Sequence, residues 1–288
     1  MHRSEYDASA ANMVLGQAAL ILKAIGLAAR HVILIGGSVP GLLVPELDPG
    51  IEPHIGTTDL DSCLNMAIVE GETAEYERIE NALKQAGFQP EESWRWRRGP
   101  NGHVTVEFFC PAGPGREAGK LFRPKQRDNP TAKHNLGASL SAVALDAGTL
   151  ISDDFVVVTR EVELPNDMGK QTIDLNVTGI AAFHAAKADA LKQRNKPKDA
   201  YDVVWLLEAW PGGPSGAAAA VRNSAVFGRP ELQRALETLE DQFRDIDRAG
   251  ARAYARFLLE DGGDADLLAR RAVGALGEFL SAADDSRR

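Results

Sequence analysis

The sequence predicts a mixed α/β domain over residues 1–178, followed by a helical domain over residues 179–288. In the first part, short β-branched or alternating segments are separated by helix-length segments and by turns rich in glycine and proline, a pattern typical of a mixed sheet with packed helices. In the second part, long segments rich in Ala, Leu, Glu and Arg have the length and composition of helices. The 288 residues suffice for one large or two modest domains.

Composition and charge limit the classes of protein to be considered. Hydrophobic residues make up 44% of the chain and charged residues 25%, close to the averages of folded globular proteins. The formal net charge of −9 argues against a protein that coats nucleic acid over its whole surface, so any contact with nucleic acid must be local.

Cysteine content and the first apolar segment predict where the protein acts. Cys63 and Cys110 are too few for a disulfide framework or a cysteine-based zinc cluster, which fits the reducing cytoplasm. The apolar segment 13–29 is interrupted by Gln17 and Lys23, so it predicts an amphipathic helix and not a membrane or signal segment. We therefore expect a cytoplasmic protein with no membrane partner.

Hydrophobic periodicity and turn residues define the elements of the first domain. A β-branched strand over residues 31–35 runs into a glycine turn, and a loop over residues 45–58 leads to a second strand over residues 59–64. The remaining predicted elements are a helix over 73–86, strands over 94–98 and 104–109 joined by a turn at 99–102, a loop at 111–115, and strands over 155–164 and 172–177.

The second domain is predicted to be almost entirely helical, with a loop rich in glycine and proline at residues 211–216. Its predicted helices cover residues 180–193, 199–209, 230–247 and 264–283.

Two motifs of the first domain point to phosphate and metal chemistry. Gly36, Gly37 and Ser38 form a glycine turn between strand and helix, where exposed N–H groups let a polyphosphate approach the backbone. Asp59 and Asp61 share one face of a strand, and their repulsion is relieved when cations bind between them. Alone, each motif is more often an ordinary turn or a solvated strand edge. Their order favours a site for metal and nucleotide.

Glu107 supplies a third carboxylate. It lies among apolar residues in a predicted strand, where an isolated buried charge must be paired or metal-bound. Two-metal phosphoryl transfer uses such carboxylates. We therefore expect Asp59, Asp61 and Glu107 to bind two Mg²⁺ ions, with Mn²⁺ as the alternative metal; a glutamate facing outward from a sheet edge is the competing interpretation.

A second block, over residues 187–202, combines cations and carboxylates. Lys187 and Arg194 are seven residues apart, which predicts two turns of one helix face, from which both cations reach phosphate oxygens. Pro197 permits a new helix, with Asp199 and Asp202 in its first turns, where they are positioned to fix the cationic side chains. A solvated face of helix charges is the competing interpretation.

These motifs together resemble known families. Gly-Gly-Ser on a strand–helix turn, followed by Asp-X-Asp and a later carboxylate, is similar to the signature of the DNA polymerase β-like nucleotidyltransferase superfamily. The second block resembles the helical motif of the AbiEii/MenT family, the nucleotidyltransferase toxins of AbiE-type toxin–antitoxin systems. That motif comprises a lysine, an arginine seven residues later, a basic-Asp step and a further Asp, matched here by Lys187, Arg194, Lys198-Asp199 and Asp202. Departures at Ala186 and Ile55, where the family usually has Glu and often has Arg, leave the nucleotide and the acceptor open.

The resemblance implies a polymerase β-like nucleotidyltransferase domain that transfers NMP from an NTP to a hydroxyl and releases pyrophosphate. It also implies the 3′ end of tRNA as the acceptor, a toxin role and a separate antitoxin partner. Asp59, Asp61, Glu107, Lys187 and Asp199 would form the catalytic set. The nucleotide-binding set would be Gly36, Gly37, Ser38, Lys187, Arg194 and Asp202.

Other features bear on the choice of acceptor. Two basic stretches, at residues 94–98 and 116–133, suit an RNA backbone with base stacking, although solvated loop charges explain them equally well. The histidines show no metal-ligand spacing, and we interpret them as structural or surface residues: His54, His103, His134 and His184. Two alternative functions remain, a small-molecule nucleotidyltransferase of the antibiotic-modifying type and a non-catalytic NTP-binding module. Three intact carboxylates argue against the latter.

Overall fold

The computed structural model describes residues 8–26, 29, 32–56, 59–64, 73–98, 104–122, 140–165, 168–194, 196–259 and 263–284. Within these ranges a mixed β-sheet with flanking helices is followed by a bundle of helices, so the predicted fold class is confirmed. The predicted turn at residues 99–102 lies outside the described residues. None of the described helices is long and apolar enough to cross a membrane.

The elements of the first part alternate between strands and helices. In chain order they are α1 (Ala8–Ile25), β1 (Val32–Ile35), a 3-10 turn (Gly36–Ser38), α2 (Val39–Leu43), β2 (Asp59–Leu64), α3 (Thr73–Gln85), β3 (Gln89–Glu92), β4 (Arg95–Arg98), β5 (Val104–Pro111), β6 (Leu121–Phe122), β7 (Ala142–Leu145), α4 (Gly148–Asp153), β8 (Phe155–Glu163) and β9 (Lys170–Thr178). The second part contains α5 (Ile180–Gln193), α6 (Pro197–Ala209), α7 (Gly213–Arg222), α8 (Pro230–Phe243), α9 (Ala249–Leu258) and α10 (Ala265–Ala283).

The sheet has its most buried strands at its centre. Its main strand order is β3-β4-β5-β2-β1-β9-β8, and β7 pairs with the end of β5 and with β6. β1 is antiparallel to β2 but parallel to β9, and β2 is parallel to β5. All four residues of β1 are buried, as expected of a strand covered on both faces, which explains its unbroken Val-Ile-Leu-Ile sequence.

α6 is the central helix of the second part. Its residues from Lys198 to Leu207 are all buried, and it packs against α5, α7, α9 and α10. It begins with Pro197 in its first turn, where the missing N–H costs no helical hydrogen bond. The first part is joined to this bundle because α5 packs against α4 and against the Gly36–Ser38 turn. A division into two domains near residue 178 stays a prediction.

Most helices predicted in the second part are confirmed, and the main error concerns a glycine- and proline-rich segment. The predicted loop at residues 211–216 contains the beginning of α7. Gly212 adopts a positive φ of 81°, and Pro214 and the alanines that follow it favour helix. Glycine and proline therefore mark the start of this helix. Of the remaining elements, α9 was not predicted although its hydrophobic residues recur with helical periodicity, and α4, β3, β6 and β7 were not predicted because their segments are short.

Gly16 and Gly274 provide a matched test of the packing of α1 on β8. Both lie inside helices, but a Cβ at Gly16 would lie 2.3 Å from the Glu163 carbonyl oxygen, whereas no described atom lies within 4 Å of a Cβ at Gly274. We expect Gly274→Ala to raise the free energy of unfolding by up to about 1 kcal/mol through helix propensity. Gly16→Ala should lower it by about 1–3 kcal/mol through overpacking. Urea unfolding measures both values, and stabilisation at both positions would contradict this packing.

Candidate functional site

The Gly-Gly-Ser turn and the acidic positions of the sheet meet at one end of its central strands. Ile35, the last residue of β1, is in register with Asp61 of β2, and Asp61 is in register with Glu107 of β5. The turn Gly36–Ser38 continues directly from Ile35 and packs against β2. Asp59 lies two residues before Asp61 on the same strand. For Asp59 and Asp61 the structure describes the backbone only. The strand register brings the backbones of these two residues beside Glu107 and the Gly36–Ser38 turn.

Ser38 carries a polar group that its surroundings leave unsatisfied. Its hydroxyl oxygen is buried and has no hydrogen-bond partner among the described residues, although Ser38 stands at the start of α2. Leaving such a group unpaired costs about 1–3 kcal/mol. Gly36, two residues earlier, has a φ of 81°, a conformation that favours glycine. A ligand with acceptor oxygens beside this turn would remove the penalty.

Glu107 is buried at 6% exposure and forms an ion pair with Arg95 of β4, its register partner across the sheet. The Arg95 guanidinium also lies over the Trp94 ring, 4.7 Å from its centroid. The pairing with Arg95 compensates the charge of the buried carboxylate. Among the described side chains, no group of three His, Cys, Asp or Glu residues could hold a metal ion, and Asp59 and Asp61 are outside that set. Metal binding by these three carboxylates stays a prediction.

A buried network of charges lies between α5 and α6. The Lys187 ammonium donates to Asp199 Oδ1 and to Asp202 Oδ2, both at 2.7 Å. Lys198 donates to Asp202 Oδ1, also at 2.7 Å, from one turn earlier on α6. The second sequence block is therefore a compact set of ion pairs and not a solvated helix face. Asp199 lies in the first turn of α6 and Asp202 one turn later, as predicted.

Arg194 reaches the network in a different way from the one the spacing predicts. α5 ends at Gln193, and Arg194 has an extended backbone with φ −139° and ψ 132°, so it does not share a helix face with Lys187. Its Nε donates to Asp199 Oδ2 at 3.0 Å, and its side chain is 45% exposed. Arg194 is the most exposed of the three cations that pair with Asp199 and Asp202.

Burial and charge act in opposite directions on the pKa values of this network. Burial alone would raise the pKa of Asp202, but the charges of Lys187 and Lys198 outweigh it and hold that pKa well below its usual range. Burial alone would lower the pKa of Lys187, but Asp199 and Asp202 outweigh it and raise that pKa. For Lys198 burial is the larger effect, so its pKa is lowered. Asp199 and Asp202 are therefore carboxylates at neutral pH.

His54 also belongs to this network, although no sequence pattern connects it with α6. Its Nε2 lies 3.0 Å from Asp202 Oδ1, and its buried ring stacks on Tyr201 and meets Trp205 edge-on. His54 and Asp202 are 148 positions apart, so no local spacing connects them. The interpretation of His54 as a structural residue holds, but its partner could be found only from the fold.

The side chains of the basic stretch at residues 94–98 mostly contact other parts of this protein. Trp96 is fully buried and cannot stack on a base. The three arginines form the pairs Arg95–Glu107, Arg97–Glu91 and Arg98–Gln17. In the second stretch, Arg116 and Lys120 are described, and four basic residues lie outside the described residues: Arg123, Lys125, Arg127 and Lys133. Of the four histidines interpreted above, His103 and His134 also lie outside the described residues.

The family described as Nucleotidyl transferase AbiEii toxin, Type IV TA system, matches residues 115–276, more than half of the chain. The chain belongs to this family. It is therefore a nucleotidyltransferase, and membership implies an NTP substrate and an antitoxin partner. The predicted resemblance to AbiEii proteins is confirmed. The matched region includes the charge network between α5 and α6, whereas the Gly36–Ser38 turn and the two aspartates of β2 precede it.

Among solved structures, the chain is similar to an antigenic nucleotidyltransferase-like protein from Paracoccidioides brasiliensis, with 17% identity, a TM-score of 0.38, and coverage of 82% of this chain and 91% of that chain. A search of curated proteins gave no match.

Among the described residues, two histidines with buried side chains, His54 and His184, make stability dependent on pH. Burial lowers the pKa of each from 6.5 to about 4. Between pH 4 and pH 6.5 the unfolded chain binds more protons at these histidines than the folded protein does. The stability that the two neutral histidines contribute is therefore fully present above about pH 6.5 and is lost as the pH falls toward 4. Each histidine contributes a slope of at most about 1.4 kcal/mol per pH unit. We expect His184→Gln to make the free energy of unfolding, measured with urea, less steeply dependent on pH, by the contribution of one proton. An unchanged slope would contradict this.

Proposed function

We propose that the protein transfers a nucleoside monophosphate from an NTP to a hydroxyl group and releases pyrophosphate. The observation that carries this proposal is the register of the central strands, in which Asp61 pairs with Glu107 on one side and with the end of β1 on the other. Beside them lies the glycine turn, whose Ser38 hydroxyl has no partner among the described residues. A triphosphate oxygen would accept the hydrogen bond that Ser38 can donate, and the N–H groups of Gly36 and Gly37 would add to it.

Asp59, Asp61 and Glu107 would hold the divalent cations, two Mg²⁺ or Mn²⁺ ions. Carboxylate oxygens are the ligands that these cations prefer, and the buried Ser38 hydroxyl fits a nearby phosphate. Bound metal would neutralise phosphate charge and lower the pKa of the attacking hydroxyl. Glu107, which Arg95 holds in place, would complete one metal site and help to remove the proton of the acceptor hydroxyl.

The cations of the network would bind the triphosphate. Arg194 is 45% exposed, more than Lys187 or Lys198, so it would meet the phosphates first. The Lys187 ammonium has three N–H donors, of which Asp199 and Asp202 accept two. The third donor would remain for a phosphate oxygen. Asp199 would orient both cations, because it accepts hydrogen bonds from Lys187 and from Arg194.

The acceptor we propose is the 3′ end of tRNA, modified in the cytoplasm by a toxin that a separate antitoxin counteracts. Membership of the AbiEii family supports the toxin role, and the basic residues between 116 and 133 support an RNA acceptor. The direct assay is incubation of purified protein with Mg²⁺, each labelled NTP in turn and total RNA. Label on RNA with one or more NTPs is the expected result.

Removing the carboxylate of Asp59 or of Asp61, both on β2, should abolish nucleotide transfer. We expect Asp59→Ala and Asp61→Ala each to lower kcat by at least about 10²-fold, because the charge that develops in the transition state loses its stabilisation. The melting temperature without metal should stay level or rise, since one of two repelling carboxylates is removed. Asp174→Ala, on the exposed side of β9, is the matched control and should keep normal turnover. Near-normal turnover of either β2 variant would refute the two-metal assignment.

Salt dependence separates an RNA acceptor from a small molecule. If the stretch 116–133 binds an RNA backbone, log affinity for the acceptor should fall with log salt by about 0.7 per phosphate contacted on a single strand. Reversing the charges of Arg123 and Lys125 to Glu should flatten this slope and leave the NTP constant unchanged, whereas reversal of the exposed Lys23 and Lys170 should change neither the slope nor the NTP constant. An acceptor constant insensitive to salt and to the first double change would favour a small-molecule acceptor.

A further inference from the structure

His54 makes a hydrogen bond with each of its ring nitrogens. The Gly56 backbone N–H donates to Nδ1 at 3.0 Å, so Nδ1 carries a lone pair and the ring proton is on Nε2. Nε2 therefore donates to Asp202 Oδ1, also at 3.0 Å. The side chain is 2% exposed, and burial lowers its pKa to about 4, so the ring is neutral at physiological pH. A neutral histidine with both nitrogens engaged has one fixed orientation.

The loop that carries His54 is attached to α6 at a second point. Trp205 Nε1 donates to the Glu52 carbonyl oxygen at 2.9 Å, and the Trp205 ring meets the His54 ring with centroids 4.8 Å apart. On its other side the His54 ring stacks on Tyr201 at 5.2 Å. The chain from residue 52 to residue 56 is thus held against α6, and β2 begins with Asp59 three residues later.

Asp202 is the shared partner of this loop and of the cations. Its Oδ2 accepts from Lys187, and its Oδ1 accepts from both Lys198 and His54. If Lys187 turned one of its N–H donors toward a phosphate, its hydrogen bond to Asp202 would change. The position of the Asp202 carboxylate, to which His54 donates, would then change as well. The link from Lys187 through Asp202 and His54 to Gly56 is continuous, and each of its hydrogen bonds is 3.0 Å or shorter.

We infer that His54 is a positioning residue that couples the phosphate-binding cations of α5 and α6 to the strand that carries Asp59 and Asp61. The inference rests on the proposed function, because it assigns metal binding to those aspartates and phosphate binding to Lys187. Binding of the triphosphate at the network would fix the entry to β2 through Asp202 and His54. The metal carboxylates would then be aligned only when nucleotide is present.

Two substitutions separate the two hydrogen bonds. In His54→Gln the amide nitrogen replaces Nε2 and donates to Asp202, but nothing accepts from Gly56. In His54→Asn the amide oxygen replaces Nδ1 and accepts from Gly56, but the side chain is too short for Asp202. His184→Gln is the matched control, because the His184 side chain is also buried and lies outside this link, with Nδ1 2.8 Å from the Ile180 carbonyl.

The first measurement is of kinetics. Coupling requires both bonds, so we expect each single-bond variant to lower kcat about tenfold or more and to raise the Mg²⁺ concentration for half-maximal rate, because the metal carboxylates are misplaced. The KM for NTP should change less than about twofold, because Ser38 and Arg194 are retained. His184→Gln should lower the melting temperature and leave the Mg²⁺ dependence unchanged.

The second measurement is hydrogen exchange with a non-hydrolysable NTP and no divalent metal. In the wild-type protein the nucleotide should slow exchange in peptides covering residues 52–64, and this protection should be lost in both variants while peptides of α5 and α6 stay protected. The inference would be overturned if either His54 variant kept the nucleotide-induced protection of residues 52–64, or the Mg²⁺ dependence, of the wild-type protein. It would also be overturned if the effects of the His54 variants were only those expected from their lower melting temperature, as judged by His184→Gln. Absence of transfer by wild-type protein would count against the proposed function, and hydrogen exchange would still decide the coupling.

Discussion

One buried carboxylate, that of Asp202, holds together the parts of the molecule that carry its chemistry. It is 1% exposed and accepts hydrogen bonds from Lys187 on α5, from Lys198 on its own helix and from His54 in the loop before β2. An ionised carboxylate loses several kcal/mol of hydration when it is buried, and only partners in good geometry offset that loss. Because the three donors come from different segments, satisfying Asp202 fixes the relative positions of α5, α6 and the loop.

This constraint explains why the most buried helix of the second part begins with charged residues. An apolar replacement of the ion pairs would also hold α5 against α6, and buried ion pairs are often no more stabilising than such replacements. It would not supply cations. With Arg194 45% exposed, the same residues that pack α6 into the bundle would provide a counter-charge for phosphate. Loss of Asp202 would remove an acceptor from Lys187, Lys198 and His54 at once, and breaking a buried ion pair in this way costs about 3–5 kcal/mol.

The sequence predicted what local patterns determine. The buried run of β1, the glycine turn after it and the limits of α5 follow from side-chain periodicity and turn residues, and the structure agrees. The position of Arg194 was predicted wrongly, because Lys196 precedes Pro197 and takes an extended conformation, which ends α5 before the second cation. The bond between His54 and Asp202 joins residues 148 positions apart, and no pattern within one segment reports on such a contact. Packing, and not spacing, determined that part of the site.

The central claim is that the end of the sheet and the charge network form one nucleotide site. Its most direct test is a crystal structure with Mn²⁺ and a non-hydrolysable NTP, in which anomalous scattering locates the metal. We expect Mn²⁺ beside Asp59 and Asp61, and a triphosphate that accepts hydrogen bonds from Ser38 and Arg194. A triphosphate bound away from the Gly36–Ser38 turn, or metal bound with the nucleotide but remote from β2, would contradict the claim.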